Sequence, residues 1–151
     1  MTNSKRKLWV GGARTLLGLL FTVFGLNGFL GFLPPPDIPP AGGAFFGALA
    51  ATGYMLPLIK GTEVLAGLAL LAGRAVPLAL TVLAPITVNI LLFHVFLAPG
   101  LGVPLLVLGL QLFLAWSYRS SFRGVLNVSA RPMADAGADS VGHEHGVAVG
   151  G

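Results

Sequence analysis

The amino-acid sequence predicts an all-α membrane protein, a bundle of four transmembrane helices with a short extra helix between the first two spans. Hydrophobic residues make up 55% of the chain and charged residues 9%, whereas a soluble domain carries about 25% charged residues. Between Arg14 and Arg119 lie 104 residues with only four formal charges. One span needs about 20 apolar residues, so the sequence has room for four spans in one membrane domain, residues 1–126.

The first predicted span covers residues 8–33 and follows a basic segment that runs from Lys5 to Lys7. A basic segment before an apolar one also marks a secretory signal peptide, but the apolar core of a signal is about 7 to 15 residues long. The present stretch has 26 residues and no convincing small-residue cleavage site. We therefore expect it to be retained as a span, which ends at Pro34 because consecutive prolines cannot continue a helix.

Residues 41–52 are apolar, but a segment of 12 residues is too short to cross a bilayer. They predict a short helix that either lies at the membrane interface or re-enters the membrane, and both arrangements stay open. A single helix over residues 44–73 would be about 45 Å long at 1.5 Å per residue, and it would contain Pro57. The second span is therefore predicted at residues 54–73.

The last two spans come from a stretch without Asp, Glu, Lys or Arg, residues 75–118. One helix over this stretch would be about 66 Å long, so the chain must turn back on itself. The Pro-Gly pair at 99–100 favours a turn, which gives a third span at residues 75–97 and a fourth at residues 102–119. The final segment, residues 127–151, lacks apolar periodicity and predicts a disordered cytoplasmic tail.

The distribution of basic residues predicts the orientation. The loops at residues 34–53 and 98–101 contain no Lys or Arg, and the basic residues lie at the opposite ends of the spans. The positive-inside rule then puts both termini in the cytoplasm. We expect the membrane to be a bacterial plasma (inner) membrane. The net charge of +4 reflects this topology and does not indicate nucleic-acid binding, because no basic stripe is present. The lipid bilayer is the first partner.

Five polar side chains are predicted to share one depth in the outer leaflet: Asn27 on span one, Lys60 and Glu63 on span two, and Asn89 and His94 on span three. A charged group at the bilayer centre costs about 2.5 to 3.5 kcal/mol, so such residues persist mainly where they pair or serve a site. Lys60 and Glu63 lie three residues apart on one helix face, which allows an ion pair. Asn89 and His94 point about 140° apart on an ideal helix, unless Pro85 kinks it.

Two interpretations of these residues stay open. In the first, they form a pocket for a ligand, a proton or a quinone head. In the second, Lys60 extends to the headgroups, Glu63 neutralises it, and Asn27 and Asn89 are interhelical hydrogen-bonding groups. Gln111 is interpreted as a packing group in either case.

Several glycines predict close helix packing: Gly25, Gly28 and Gly31 in span one, and Gly61 and Gly67 in span two. No metal site is predicted, since His143 and His145 form a nonspecific pair without further ligands. The chain has no cysteine, which excludes disulfides and thiolate chemistry. No covalently bound cofactor is expected, and a redox role would depend on a diffusible or partner-held group.

The chain resembles the DoxX family of small four-helix membrane proteins over most of residues 8–126. The resemblance lies in Phe24-Gly25-Leu26-Asn27-Gly28, Gly61-Thr62-Glu63-Val64-Leu65-Ala66-Gly67, Leu70-Leu71-Ala72-Gly73-Arg74, and the stretch from Pro85 through Asn89 to His94. Other branches of the family often carry a basic residue at the position of Asn27, so this chain resembles the Asn-bearing branch. Named family members include a membrane subunit of a thiosulfate:quinone oxidoreductase, and others that join redox assemblies with sulfurtransferase or superoxide-dismutase partners.

The resemblance implies a membrane subunit of a redox-linked assembly, with a redox partner subunit and a quinone as the ligand. The pocket around Glu63 would then hold the quinone head. A small-molecule or proton-coupled transporter is the second hypothesis; it would need a homo-oligomer, because the four spans show no internal repeat. A structural membrane scaffold without its own activity is the third.

Overall fold

The computed structural model describes residues 3–34 and 36–122, and these residues form helices joined by turns and loops, with no strand among them. The helices are α1 (Asn3–Leu30), α2 (Pro40–Ala51), α3 (Met55–Ala72), α4 (Val76–Phe96), α5 (Gly102–Ser117) and α6 (Arg119–Phe122). The predicted all-α class is therefore confirmed for this part of the chain. The predicted tail, residues 127–151, and the histidines within it lie outside the described residues.

Glycines with positive φ set two of the helix ends. Gly31 has a φ of 59°, and its N–H donates to the carbonyl of Asn27 at 2.8 Å. α1 therefore ends at Leu30, earlier than the predicted end of the span at residue 33. α3 ends at Gly73, whose φ is 66°, and Arg74 N–H reaches back to the carbonyl of Ala69 at 3.0 Å. This bond and the positive φ form a Schellman cap, which suits glycine because it has no Cβ.

Four helices pack in a closed ring in which α1 contacts α3 and α5, and α4 contacts the same two helices. α1 and α3 run antiparallel, because Gly18 of α1 faces Gly67 of α3 while Gly28 faces Lys60. The four helices of the ring and α2 belong to one compact unit that extends to Arg119. The candidate site lies at the interface between α1 and α3.

The outer surface of the ring is strongly apolar. Large side chains such as Leu65, Leu78 and Phe96 are 72%, 64% and 76% exposed. A soluble protein rarely exposes continuous apolar surface on this scale, whereas lipid tails solvate it well. Three helices are long and apolar enough to cross a membrane: Ser4–Leu30, Met55–Ala72 and Val76–Phe96. Together these features indicate a membrane protein.

The other two apolar helices are shorter. α5 has 16 residues and α2 has 12, which correspond to about 24 Å and 18 Å of helix. α2 packs near the end of α4, since Gly42 lies against Phe93 and the carbonyl of Leu97. The rings of Phe45 and Phe46 lie 5.7 Å and 5.0 Å from that of Phe93. An aromatic cluster therefore holds α2 at this end of the ring.

Candidate functional site

The candidate site lies where small residues bring α1 and α3 into close contact. A Cβ added at Gly67 would lie 2.8 Å from the backbone nitrogen of Thr22 and 2.9 Å from the carbonyl oxygen of Gly18. A Cβ at Gly25 would lie 3.0 Å from the backbone nitrogen of Val64. Real Cβ atoms essentially never show the distances found at Gly67, and the distance at Gly25 is unusually short, so the two helices touch through glycine.

Lys60 and Glu63 form the ion pair that their spacing predicts. Lys60 Nζ donates to both carboxylate oxygens of Glu63, at 3.1 Å to Oε1 and 2.8 Å to Oε2. The two side chains differ in exposure, 25% for Lys60 and 3% for Glu63. The pair therefore has a buried acidic end and a partly accessible basic end. At 1.5 Å per residue, Lys60 and Glu63 lie about 8 Å and 12 Å along α3 from its first residue.

Glycines of α1 leave space for the aliphatic parts of the Lys60 and Glu63 side chains. A Cβ at Gly28 would lie 2.5 Å from Lys60 Cγ and 2.6 Å from its Cδ, and a Cβ at Gly25 would lie 3.1 Å from Glu63 Cβ. The aliphatic part of the lysine thus packs directly on the backbone of α1. This packing directs the ammonium group back toward Glu63 on its own helix.

Asn27 lies beside this contact but is engaged in the turn that ends α1. Its Oδ1 accepts a hydrogen bond from the backbone N–H of Leu33 at 2.7 Å. The side chain is half-buried, and its neighbour Gly28 contacts Lys60. Asn27 therefore helps to hold the turn after α1 next to the ion pair.

The two predicted residues of α4 are not joined to the ion pair by a hydrogen bond within residues 3–34 and 36–122. His94 Nδ1 lies 2.8 Å from the carbonyl oxygen of Ile90, one turn earlier on the same helix. Its ring packs edge-on against that of Phe93, with centroids 5.3 Å apart. Asn89 is exposed on the outer surface of α4. Their membership of one pocket with Glu63 stays a prediction.

A second polar contact connects α4 and α5. Gln111 Nε2 donates to the carbonyl of Leu80 at 2.9 Å, and the hydroxyl of Thr87 donates to Gln111 Oε1. All of these groups are buried, and the interpretation of Gln111 as a packing group is confirmed. The proline at position 85 lies within this part of α4 and lacks the N–H that would continue the helix ladder. Gln111 therefore binds α4 near its proline.

The glycine prediction is partly correct. Gly25, Gly28 and Gly67 lie in the contact between α1 and α3, whereas nothing lies within 4 Å of a Cβ built at Gly31 or Gly61. Gly31 serves the turn after α1 instead, and Gly61 is on a side of α3 that faces away from its neighbours.

Sequence reasoning missed Thr22 and Thr87. Thr22 packs against Gly67, and its buried hydroxyl has no hydrogen-bond partner in the described part of the chain. Its position four residues after Gly18 is a small-residue spacing that could have indicated this contact. Nothing in the sequence around Thr87 distinguishes it from the exposed Thr81.

The residues of the site do not suggest a bound metal. Within the described residues no group of three or more His, Asp or Glu side chains converges as metal ligands would. Searches against protein-family models, curated proteins and solved structures gave no significant match to this chain.

Proposed function

We propose that this protein is a DoxX-like subunit of a redox-linked assembly in a bacterial inner membrane. In this proposal α5 is the fourth span, α2 lies at or re-enters the outer face, and both termini are cytoplasmic. The exposed apolar residues of α5, among them Leu105, Leu112 and Phe113, support its contact with lipid. The absence of Lys and Arg from residues 34–53 and 98–101 supports the orientation.

The proposed activity is binding of a quinone-like head at the Lys60 and Glu63 pair. The observation that carries it is an ion pair inside an apolar helix bundle, with its carboxylate 3% exposed. Ionisable groups within membrane spans are costly and commonly mark functional sites. A salt bridge of this kind gives little net stability of its own, because desolvation of both charges offsets their attraction. A contribution to folding stability therefore explains the presence of the ion pair only weakly.

Each residue has a distinct proposed role. Lys60, which is 25% exposed, is the accessible end and would donate to a carbonyl oxygen of the ligand. Glu63 would relay a proton, since reduction of a quinone takes up protons as well as electrons. Asn27 would orient the ligand through its amide N–H groups, and the electrons would come from the partner subunit. Asn89 and His94 stay predicted members of this pocket.

Quinone binding by the purified full chain tests the proposal. The protein is extracted in detergent, its lipid extract is analysed for quinone, and a short-chain quinone is titrated against the delipidated protein. We expect binding in the micromolar range, and Glu63→Gln should weaken it about tenfold or more. Asp37→Asn is the matched control, because it removes the same charge from the loop between α1 and α2.

Three results separate this proposal from its alternatives. If no quinone binds, or if Glu63→Gln binds it as tightly as the wild type, the proposal is wrong. Substrate or proton flux through proteoliposomes that Glu63→Gln abolishes, without quinone binding, would establish the transporter instead. A folded and inserted Glu63→Gln variant with full activity in cells would favour the structural scaffold.

A further inference from the structure

The second site is an open basic cleft at the opposite end of the bundle from the Lys60 and Glu63 pair. It has a volume of about 450 Å³, and its lining includes Arg6, Lys7 and Arg14 of α1 and Ser117 and Tyr118 at the end of α5. Arg14 contacts Gly73 at the end of α3. Gly73 and Lys60 are separated by about 20 Å of helix, so the two sites are distinct.

The positive charge of this cleft has no acidic partner in the described part of the chain. The acidic residues there are Asp37, in the loop between α1 and α2, and Glu63, which pairs with Lys60. Arg6, Lys7 and Arg14 line one cleft, so their positive charges repel one another and attract an anion. The cleft thus has the charge of an anion-binding site.

The guanidinium group of Arg14 is fixed in the lining of the cleft. Its Nε is buried and has no hydrogen-bond partner among residues 3–34 and 36–122. Its guanidinium group packs over Gly73, where a Cβ would collide with Nη1. Gly73 therefore helps to hold the guanidinium group in place in the lining of the cleft. A planar guanidinium binds phosphate through paired N–H groups, which makes phosphate a suitable anion.

The cleft lies beside residues that are typical of a membrane interface, where phosphate groups belong to lipids. Both tryptophans of the chain lie beside it in sequence, Trp9 on α1 and Trp116 on α5, and they are 65% and 70% exposed. Exposed tryptophan at helix ends is typical of the membrane interface. Arg119 stacks 4.9 Å above the Trp116 ring, which adds a cation at the same level. Basic pockets between transmembrane helices bind anionic lipid headgroups.

We propose that this cleft binds the phosphate headgroup of an anionic phospholipid. Arg14 would contact the phosphate at the closed end, Arg6 and Lys7 would neutralise it from the rim, and the Tyr118 hydroxyl would donate a further hydrogen bond. The acyl chains would lie along the apolar outer surface. This inference depends on membrane insertion but not on quinone binding.

The test measures lipid preference at the two tryptophans. The full chain is reconstituted at physiological ionic strength into vesicles that contain brominated phosphatidylglycerol or brominated phosphatidylcholine, and tryptophan quenching gives the relative binding of each. We expect phosphatidylglycerol to be preferred about tenfold or more. Arg14→Gln should lower that preference about fivefold, because it removes the charge-assisted hydrogen bonds of the guanidinium group to the phosphate. Lys5→Gln, a matched charge loss outside the cleft lining, should change it less than twofold.

A replacement variant and a competition experiment complete the test. If Arg14→Gln does not fold by circular dichroism, the double variant Arg6→Gln/Lys7→Gln replaces it, since both residues are exposed. Inorganic phosphate at millimolar concentration should not compete with the lipid. Equal binding of both lipids, equal losses in Arg14→Gln and Lys5→Gln, or full competition by inorganic phosphate would overturn the proposal. The last result would assign the cleft to a soluble anion.

Discussion

Removing either member of the Lys60 and Glu63 pair should destabilise the protein, but by unequal amounts. Lys60→Met leaves the Glu63 carboxylate, whose side chain is 3% exposed, without its partner inside the bundle. Loss of one partner from a buried pair costs about 3 to 5 kcal/mol. Lys60→Met should therefore lower the free energy of unfolding by about this amount.

Glu63→Gln should cost less. The Lys60 side chain is 25% exposed and lies about 8 Å from the start of α3, so its ammonium group can extend toward the headgroups once the carboxylate is gone. We expect a loss of about 1 to 2 kcal/mol, between the values for exposed and buried pairs. The double variant Lys60→Met/Glu63→Gln carries no unpaired charge and should lie near the Glu63→Gln value. The coupling energy between the two positions then equals the Lys60→Met loss, about 3 to 5 kcal/mol.

Equilibrium unfolding in mixed micelles, titrated with sodium dodecyl sulfate and followed by circular dichroism, gives the three free energies. Circular dichroism suits this measurement better than tryptophan fluorescence does, because both tryptophans lie at the opposite end of the bundle from Lys60 and Glu63. Equal destabilisation by the two single changes would refute the asymmetry that we derive from their exposure. A double variant as unstable as the sum of the singles would refute the ion pair itself.

The remaining predictions concern packing. Gly67→Ala should destabilise by about 1 to 3 kcal/mol because its Cβ meets the backbone of α1, whereas Gly61→Ala, with nothing within 4 Å, should not; thermal unfolding of both in one detergent compares them. Gln111→Leu removes two hydrogen bonds and should cost about 1 to 2 kcal/mol in the same titration, and an unchanged stability would contradict its packing role. Asn89→Leu should change stability by less than about 0.5 kcal/mol because the side chain is exposed, and its quinone titration shows whether Asn89 belongs to the pocket.

The helices could be predicted from the sequence because the signals that define them are local. Prolines, glycines and the length of each apolar stretch determine where a helix can begin and end, whatever surrounds it. The Lys60 and Glu63 pair could be predicted for the same reason, since residues three apart on a helix always share a face.

The sequence could not predict whether a given side chain faces the interior of the bundle or its outer surface. The polar residues of α4 do not gather on one face, so its sequence does not indicate which side meets the bundle. Asn89 is exposed on α4, whereas Gln111 is buried on α5 between Leu80 and Thr87. The rotation of each helix about its axis is set by packing with its neighbours, and that depends on side chains far away in the sequence.

The register between α1 and α3 explains why the polar pair lies at a fixed depth. Each helix packs a long cationic side chain over a glycine of the other: Lys60 over Gly28 near one end, and Arg14 over Gly73 at the opposite end. A slip of one turn, about 5.4 Å, that moved Arg14 from Gly73 back along α3 would place it against Ala69 or Leu70. Both residues carry a Cβ, and at Gly73 a Cβ would occupy the place of the Arg14 guanidinium group. Residues without polar atoms therefore determine where the charged pair lies in the bundle.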